Sequence, residues 1–191
     1  MSGDRLSPVC ASLEAGPVVI AGPTGSGRTT AAAAIAASAA ASGLRVLLAA
    51  HRRTAPHEHA AEAGVTVVTS GEAADALDSS SFDLVVLDDA DRFPADESLV
   101  ERLTEPDGPS LAVAALLDSF GFGASGLLKF ARTRPGAVVL LCPPNHLVAA
   151  NVGVSLERGT GFSGPPGRAY LVAEGKMMLG QVPDVGDTTI P

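Results

Sequence analysis

Short, largely apolar runs recur along the chain, separated by polar or glycine-rich stretches. Residues 17–21 (PVVIA), 44–50 (LRVLLAA), 65–69 (VTVVT), 82–88 (FDLVVLD) and 137–142 (AVVLLC) show little polar alternation. All five read as strands, and 17–21, running into a glycine-rich loop, as a buried parallel one, because neither face needs polar side chains. Residues 111–117 (LAVAALL) fit a strand or a buried helix, and the parallel-sheet context favours a strand. Helices are predicted between these runs. Residues 28–42 are alanine-rich without a breaker, and Gly43 supplies the stop. Shorter helices are expected over 57–63, 72–77, 96–103 and 124–131, with a turn at 106–109. Pro143-Pro144 ends the last apolar run, and residues 151–167, rich in Gly and Pro, read as loop. Residues 169–172 and 176–182, flanking Glu174-Gly175, predict a terminal hairpin. Strands alternating with helices imply an α/β fold, a three-layer sandwich with a mostly parallel central sheet and a C-terminal β-hairpin. Residues 1–183 form one domain in this reading. Residues 1–15 are its lead-in, with Leu13 packing, and 184–191 a flexible tail. There is no internal repeat.

Composition narrows the class. A chain of 191 residues suits one domain with a proper core, and 46% hydrophobic against 18% charged residues excludes a disordered chain. With 4% aromatic residues and no Trp, the core must be aliphatic. A net charge of -8 counts against a broad nucleic-acid footprint. Cys10 and Cys142 lie too far apart for a metal-ligand pair and suggest buried thiols in a reducing compartment. There is no signal peptide, and the alanine run 31–41 is too short and too weakly apolar to span a bilayer. Any membrane link must come through a partner or through missing sequence.

The chemistry concentrates in Gly22-Pro23-Thr24-Gly25-Ser26-Gly27-Arg28-Thr29-Thr30. The run follows G-x-x-x-x-G-K-[ST] except that Arg28 stands at the lysine position. Glycines let backbone N–H groups approach phosphate oxygens, and the following helix aims its N-terminus at the same anion. Thr29 is the candidate Mg²⁺ ligand, and Thr30 can hydrogen-bond the α-phosphate. Arg28 keeps the charge but presents a planar fork instead of a compact ammonium. The alternative is a glycine-rich turn that binds nothing; the strand before it and the helix after it favour phosphate.

Downstream, Leu84-Val85-Val86-Leu87-Asp88-Asp89 is an apolar strand ending in two carboxylates, as a Walker-B element requires. Asp88 is the candidate metal ligand, usually acting through water. Asp89 stands where many ATPases place a glutamate that polarises the attacking water, one methylene shorter here. Asp118-Ser119 and Asn145-His146 follow two other predicted strands, where ligands bind in open α/β sheets. Either pair could sense the γ-phosphate; capping a loop is the plainer role. Arg132, Arg134, Arg158 and Arg168 are candidate trans-acting fingers that no spacing distinguishes. His51, His57 and His59 lie on a polar stretch (HRRTAPHEH) that reads as a solvated basic patch in preference to a metal site. There is no N-K-x-D for guanine, no L-S-G-G-Q, and no helical lid domain.

Three segments together resemble the FtsK/SpoIIIE superfamily of P-loop ATPases, and more closely the C-terminal degenerate ATPase modules of the EccC/EssC-type proteins of type VII secretion. They are GPTGSGRTT at 22–30, DLVVLDDADRF at 83–93 and GPPGRAYLVAEGKMMLGQV at 164–182. The last is similar to a P-P-G-R-G…Q-V ending, with Ala169 replacing the second glycine. The resemblance implies a RecA-like motor fold on the cytoplasmic side of a membrane-associated secretion machine. It implies ATP and Mg²⁺ as cofactors, and tight ATP binding with weak or conditional hydrolysis. Implied partners are other ATPase modules or copies of the chain in a hexameric ring, and secreted helical-hairpin substrate proteins. Two alternatives stand beside it. One is a pseudo-ATPase interaction module docking such substrates. The other is a DNA-translocase fragment, disfavoured because acidity fits direct DNA binding poorly.

Overall fold

The computed structural model describes residues 12–93, 97–157 and 165–183. Most of the lead-in, Cys10, Arg158 and the tail 184–191 lie outside the described residues. The strands are β1 (Val18–Gly22), β2 (Val46–Ala50), β3 (Thr66–Thr69), β4 (Leu84–Asp88), β5 (Ser110–Leu116), β6 (Ala137–Leu141), β7 (Arg168–Ala173) and β8 (Lys176–Gln181). The helices are α1 (Arg28–Ala41), α2 (Ala55–Glu62), α3 (Ala73–Ser79), α4 (Glu97–Thr104), α5 (Gly126–Thr133) and α6 (His146–Ala149). The eight strands of the described residues join one sheet in the order β3-β2-β4-β5-β1-β6-β7-β8. The first six pair in parallel, and β7 and β8 are antiparallel.

Alternate residues of each strand feed two separate cores. Val18 and Ile20 of β1 pack with Ala31, Ala32, Ala33 and Ala36 of α1 and Ala60 of α2. Val19 and Ala21 face the other way, with Ala73 of α3, Leu99 and Leu103 of α4, Ala131 of α5 and Ala149 of α6. These are the two outer layers of the sandwich. Alanine does two jobs in α1: it is the best helix former, and its small side chain lets the helix lie close on the sheet. Beyond Ser42, Gly43 takes φ +89°, the Gly43 N–H bonds the Ala40 carbonyl (2.9 Å), and the Leu44 N–H bonds the Ala39 carbonyl (3.2 Å). That arrangement satisfies the last carbonyls and ends the helix at the predicted glycine.

The ambiguous run 111–117 is a strand as far as Leu116, and Leu117 opens a short 3-10 turn. The strand lies between β4 and β1, and residues 111–115 are buried, so both faces need apolar side chains. Leu13 packs on the α1 core as expected. One helix was not foreseen: α6 occupies four residues after Pro143-Pro144, capped by Asn145, whose Oδ1 accepts from the N–H groups of Leu147 (2.9 Å) and Val148 (3.1 Å). Four residues carry no hydrophobic period to read. Among the described residues, no helix is long and apolar enough to cross a membrane.

Candidate functional site

The topology brings the singled-out segments to one end of the sheet. Chain leaving β1 passes through α1 on one face; chain leaving β5 passes through α5 on the other. Adjacent strands departing to opposite faces open a crevice beyond their carboxyl ends, the usual place for a ligand in an open α/β sheet. Gly22 closes β1 at this crevice, and Asp88 ends β4, with β5 between them.

The loop is tightly built. At Gly22 a Cβ atom would fall 2.5 Å from Ser26 Oγ and 2.8 Å from the Leu141 Cβ, so only glycine fits. Gly27 begins α1 in the left-handed region at φ +96°. A Cβ there would lie 3.0 Å from the Gly167 nitrogen. The reason is a backbone bond: the Gly167 N–H donates to the Ser26 carbonyl at 2.8 Å. Gly167 in turn accepts from the Val182 N–H (2.8 Å), and the Arg168 carbonyl accepts from the Cys142 N–H (3.1 Å). The segment before the terminal hairpin therefore braces the loop from behind. Cys142, at φ +41°, sits against this brace, and burial pushes its thiol pKa up, opposed by hydrogen bonding with the Arg168 backbone.

The ionisable side chains meet in two pairs. Arg28 reaches across to β4: one guanidinium nitrogen donates to the Gly22 carbonyl (2.6 Å), and the other to Asp89 Oδ1 (3.1 Å). The Arg28 side chain is 11% exposed and that of Asp89 30%. Asp89 holds a left-handed φ of +52°, uncommon outside glycine, which turns the chain out of the strand. Its neighbour Asp88 is 2% exposed, and its Oδ2 lies 3.1 Å from Nε2 of His57. His57 is 1% exposed, so the solvated patch expected at 51–59 is corrected at this position: the imidazole turns inward from α2. His51 and His59 are exposed, as expected. No sequence signal links His57 to Asp88, because a contact across 31 positions leaves no periodicity.

Several buried polar atoms in this region lack a hydrogen-bond partner: Ser26 Oγ, Arg28 Nε, Asp88 Oδ1 and Asp91 Oδ1. Buried polar atoms are nearly always paired, so such a set marks a place where a polar ligand fits. Two acceptors at the end of β4 suit a hydrated cation, and the orphan donors and loop N–H groups suit phosphate. Asp91 is an addition to the expected residues; its Oδ2 accepts from Ser119 Oγ (3.3 Å), tying the end of β5 to that of β4.

The remaining expected residues are dispersed. Thr24 and Gly25 are exposed at the loop tip, Pro23 is half-buried, and Thr29 and Thr30 lie half-buried in the first turn of α1. Asp118 is exposed beyond β5, and Asn145 is engaged as the α6 cap. Arg132 is spent on the carbonyls of Phe120 and Gly121 (2.8 and 2.7 Å). Arg134 and Arg168 are exposed.

This fold is the RecA-like P-loop NTPase fold. Solved structures agree in chain trace. The cytoplasmic domain of the Thermomonospora curvata type VII secretion ATPase EccC superposes with a TM-score of 0.65 at 17% identity, covering 94% of this chain and 25% of that one. The pCW3 conjugation coupling protein TcpA, in a monomer form with ATPγS, gives 0.56 at 15% identity, covering 90% of this chain and 61% of that one. The chain thus spans a quarter of the EccC structure's length and about three-fifths of TcpA's. By sequence, no family model and no curated protein matches it.

Proposed function

We propose that this chain is an ATP-binding module of a type VII-like secretion motor, with weak or conditional hydrolysis. The observation that carries the reading is the Arg28–Asp89 pair across the mouth of the loop, beside the unpartnered Ser26 Oγ, Arg28 Nε and Asp88 Oδ1. The loop N–H groups of 22–30 cradle the phosphates, and Thr29 and Asp88 hold Mg²⁺, directly or through water. When bound, Mg²⁺ neutralises phosphate charge. Arg28 supplies a second positive charge, but only after it releases Asp89. Asp89, once released, accepts a hydrogen bond from the attacking water and orients it. Each group thus restrains the other, which suits a site that binds readily and turns over slowly. An arginine contributed by a neighbouring module would complete such a site and is worth about 10³–10⁵ in rate where it operates. The partners that fit are other ATPase modules or copies of this chain, on the cytosolic side of a membrane.

A second reading, an interaction module for secreted helical hairpins, draws support from the fully exposed Phe122 and the largely exposed Leu147, which follow β5 and β6. The net charge of -8 argues against a DNA track.

Calorimetric titration with Mg²⁺-ATP tests the first reading. Saturable binding is expected, weakened about tenfold in Thr29→Ala by loss of one strong polar contact. No binding at millimolar ATP overturns it and leaves the interaction module.

A further inference from the structure

We propose that His57 is the positioning residue for Asp88, fixing which oxygen of that carboxylate is left for the cation; the proposal rests on the nucleotide reading above. A carboxylate 2% exposed at the end of a central strand has little water to solvate it. Among the described residues, the hydrogen bond it makes is to His57, through Oδ2, while Oδ1 is buried and unpartnered. A tie that served only to fasten α2 to β4 would gain from satisfying both oxygens. Leaving one orphaned is the pattern of a ligand held ready.

The imidazole is itself oriented. The Thr54 N–H donates to His57 Nδ1 at 3.0 Å, at the N-cap of α2. That nitrogen is therefore the acceptor, which leaves Nε2 as the ring donor, 3.1 Å from Asp88 Oδ2. A backbone donor at a helix start, which would otherwise need its own partner, sets the tautomer. The chain of contacts runs from Thr54 N–H through the ring to Asp88, and every member is held by backbone or by burial. Metal-binding carboxylates are commonly oriented by such outer contacts, whose loss costs about 10–100-fold in metal affinity. His57 touches neither nucleotide nor water in this scheme and acts only through Asp88.

The test compares ATP affinity with Mg²⁺ and in EDTA for the unaltered chain, His57→Leu and His57→Gln. Leucine fills the space without a donor; glutamine places an amide N–H near the Nε2 position. The ratio of the two affinities reports the cation alone. His57→Leu should lose about tenfold of that ratio with EDTA affinity unchanged, and His57→Gln should recover most of it. Equal weakening with and without Mg²⁺ marks a structural tie and overturns the proposal, as does an unchanged ratio in His57→Leu. If the leucine variant fails to fold, long-range ¹H–¹⁵N spectra of the unaltered chain decide. A proton on Nε2 that persists with Mg²⁺-ATP is expected, and a proton on Nδ1 overturns the assignment. Absence of nucleotide binding by the unaltered chain removes both readings, whereas Mg²⁺-dependent binding indifferent to His57 removes only this one.

Discussion

The phosphate loop is held on two sides by unlike chemistry. Behind it, the Gly167 N–H bonds the Ser26 carbonyl, with Gly27 packed close against Gly167 and no side chain involved. In front, Arg28 grips Asp89 through a charge pair that is partly open to water. That backbone bond is flanked by Gly27 and Gly167, both held in the left-handed region, so it cannot shift without moving the chain. A guanidinium can exchange one anion for another, and a phosphate is a better match for its fork than a single carboxylate oxygen. The rear contact is scaffold and the front contact is exchangeable, so a loop of fixed shape can present a charge that moves.

The front contact should give the largest functional effect. Asp89→Asn keeps the size and one acceptor but loses the charge. ATP turnover should fall about 100-fold if Asp89 orients the water. Unfolding free energy should change by about 1 kcal/mol or less, because partly exposed pairs contribute little. Urea denaturation beside a phosphate-release assay measures both, and a large stability loss would mean that the front contact is scaffold too.

The rear contact should behave in the opposite way. Gly27→Ala forces a side chain into a left-handed backbone and against the Gly167 nitrogen, costing about 2 kcal/mol of stability. Gly167→Ala, at φ +84°, brings its Cβ 2.5 Å from Gln181 Nε2 and strains the residue whose N–H bonds Ser26; it should cost a similar amount, and the double variant less than the two together, since both disturb that bond. Additive losses in urea melts would show that the two glycines do not share it.

The smallest effect concerns the thiol beside the brace. With its pKa raised by burial, Cys142 carries less thiolate at any given pH than an unperturbed cysteine. Its alkylation by iodoacetamide should be slower at pH 8 and the rate–pH curve should lie to higher pH, both reverting in denaturant. Reaction as fast as that of the unfolded chain would mean that the brace leaves this position open.

Much of the fold was legible because it obeys local rules. Apolar runs without alternation gave the central strands, whereas 65–69, with its two threonines, gave the partly exposed edge strand β3; 111–117, equally apolar as a helix, resolved as strand up to Leu116 once a parallel sheet was assumed. Gly43 marked the end of α1 because a left-handed residue was needed there. What escaped the sequence was contact at long range between residues of opposite polarity. His57 lies among arginines and histidines, and nothing in HRRTAPHEH tells which side chain turns inward to a carboxylate on another strand. The loop motif located Arg28 and the acidic strand end located Asp89, yet neither revealed that the two would meet. Asp91 was invisible for the same reason, being one more acid in a polar stretch.

The brace behind the loop also governs when the site can exist. Ser26 is made well before Gly167, whose N–H bonds its carbonyl and whose own carbonyl is held by Val182. Nearly all the intervening chain must leave the ribosome before this loop reaches its final shape. Contacts so distant in sequence slow folding, since a long segment must be ordered before the contact repays it. A nascent chain halted before the terminal hairpin would carry the nucleotide motif complete in letters and unfinished in form.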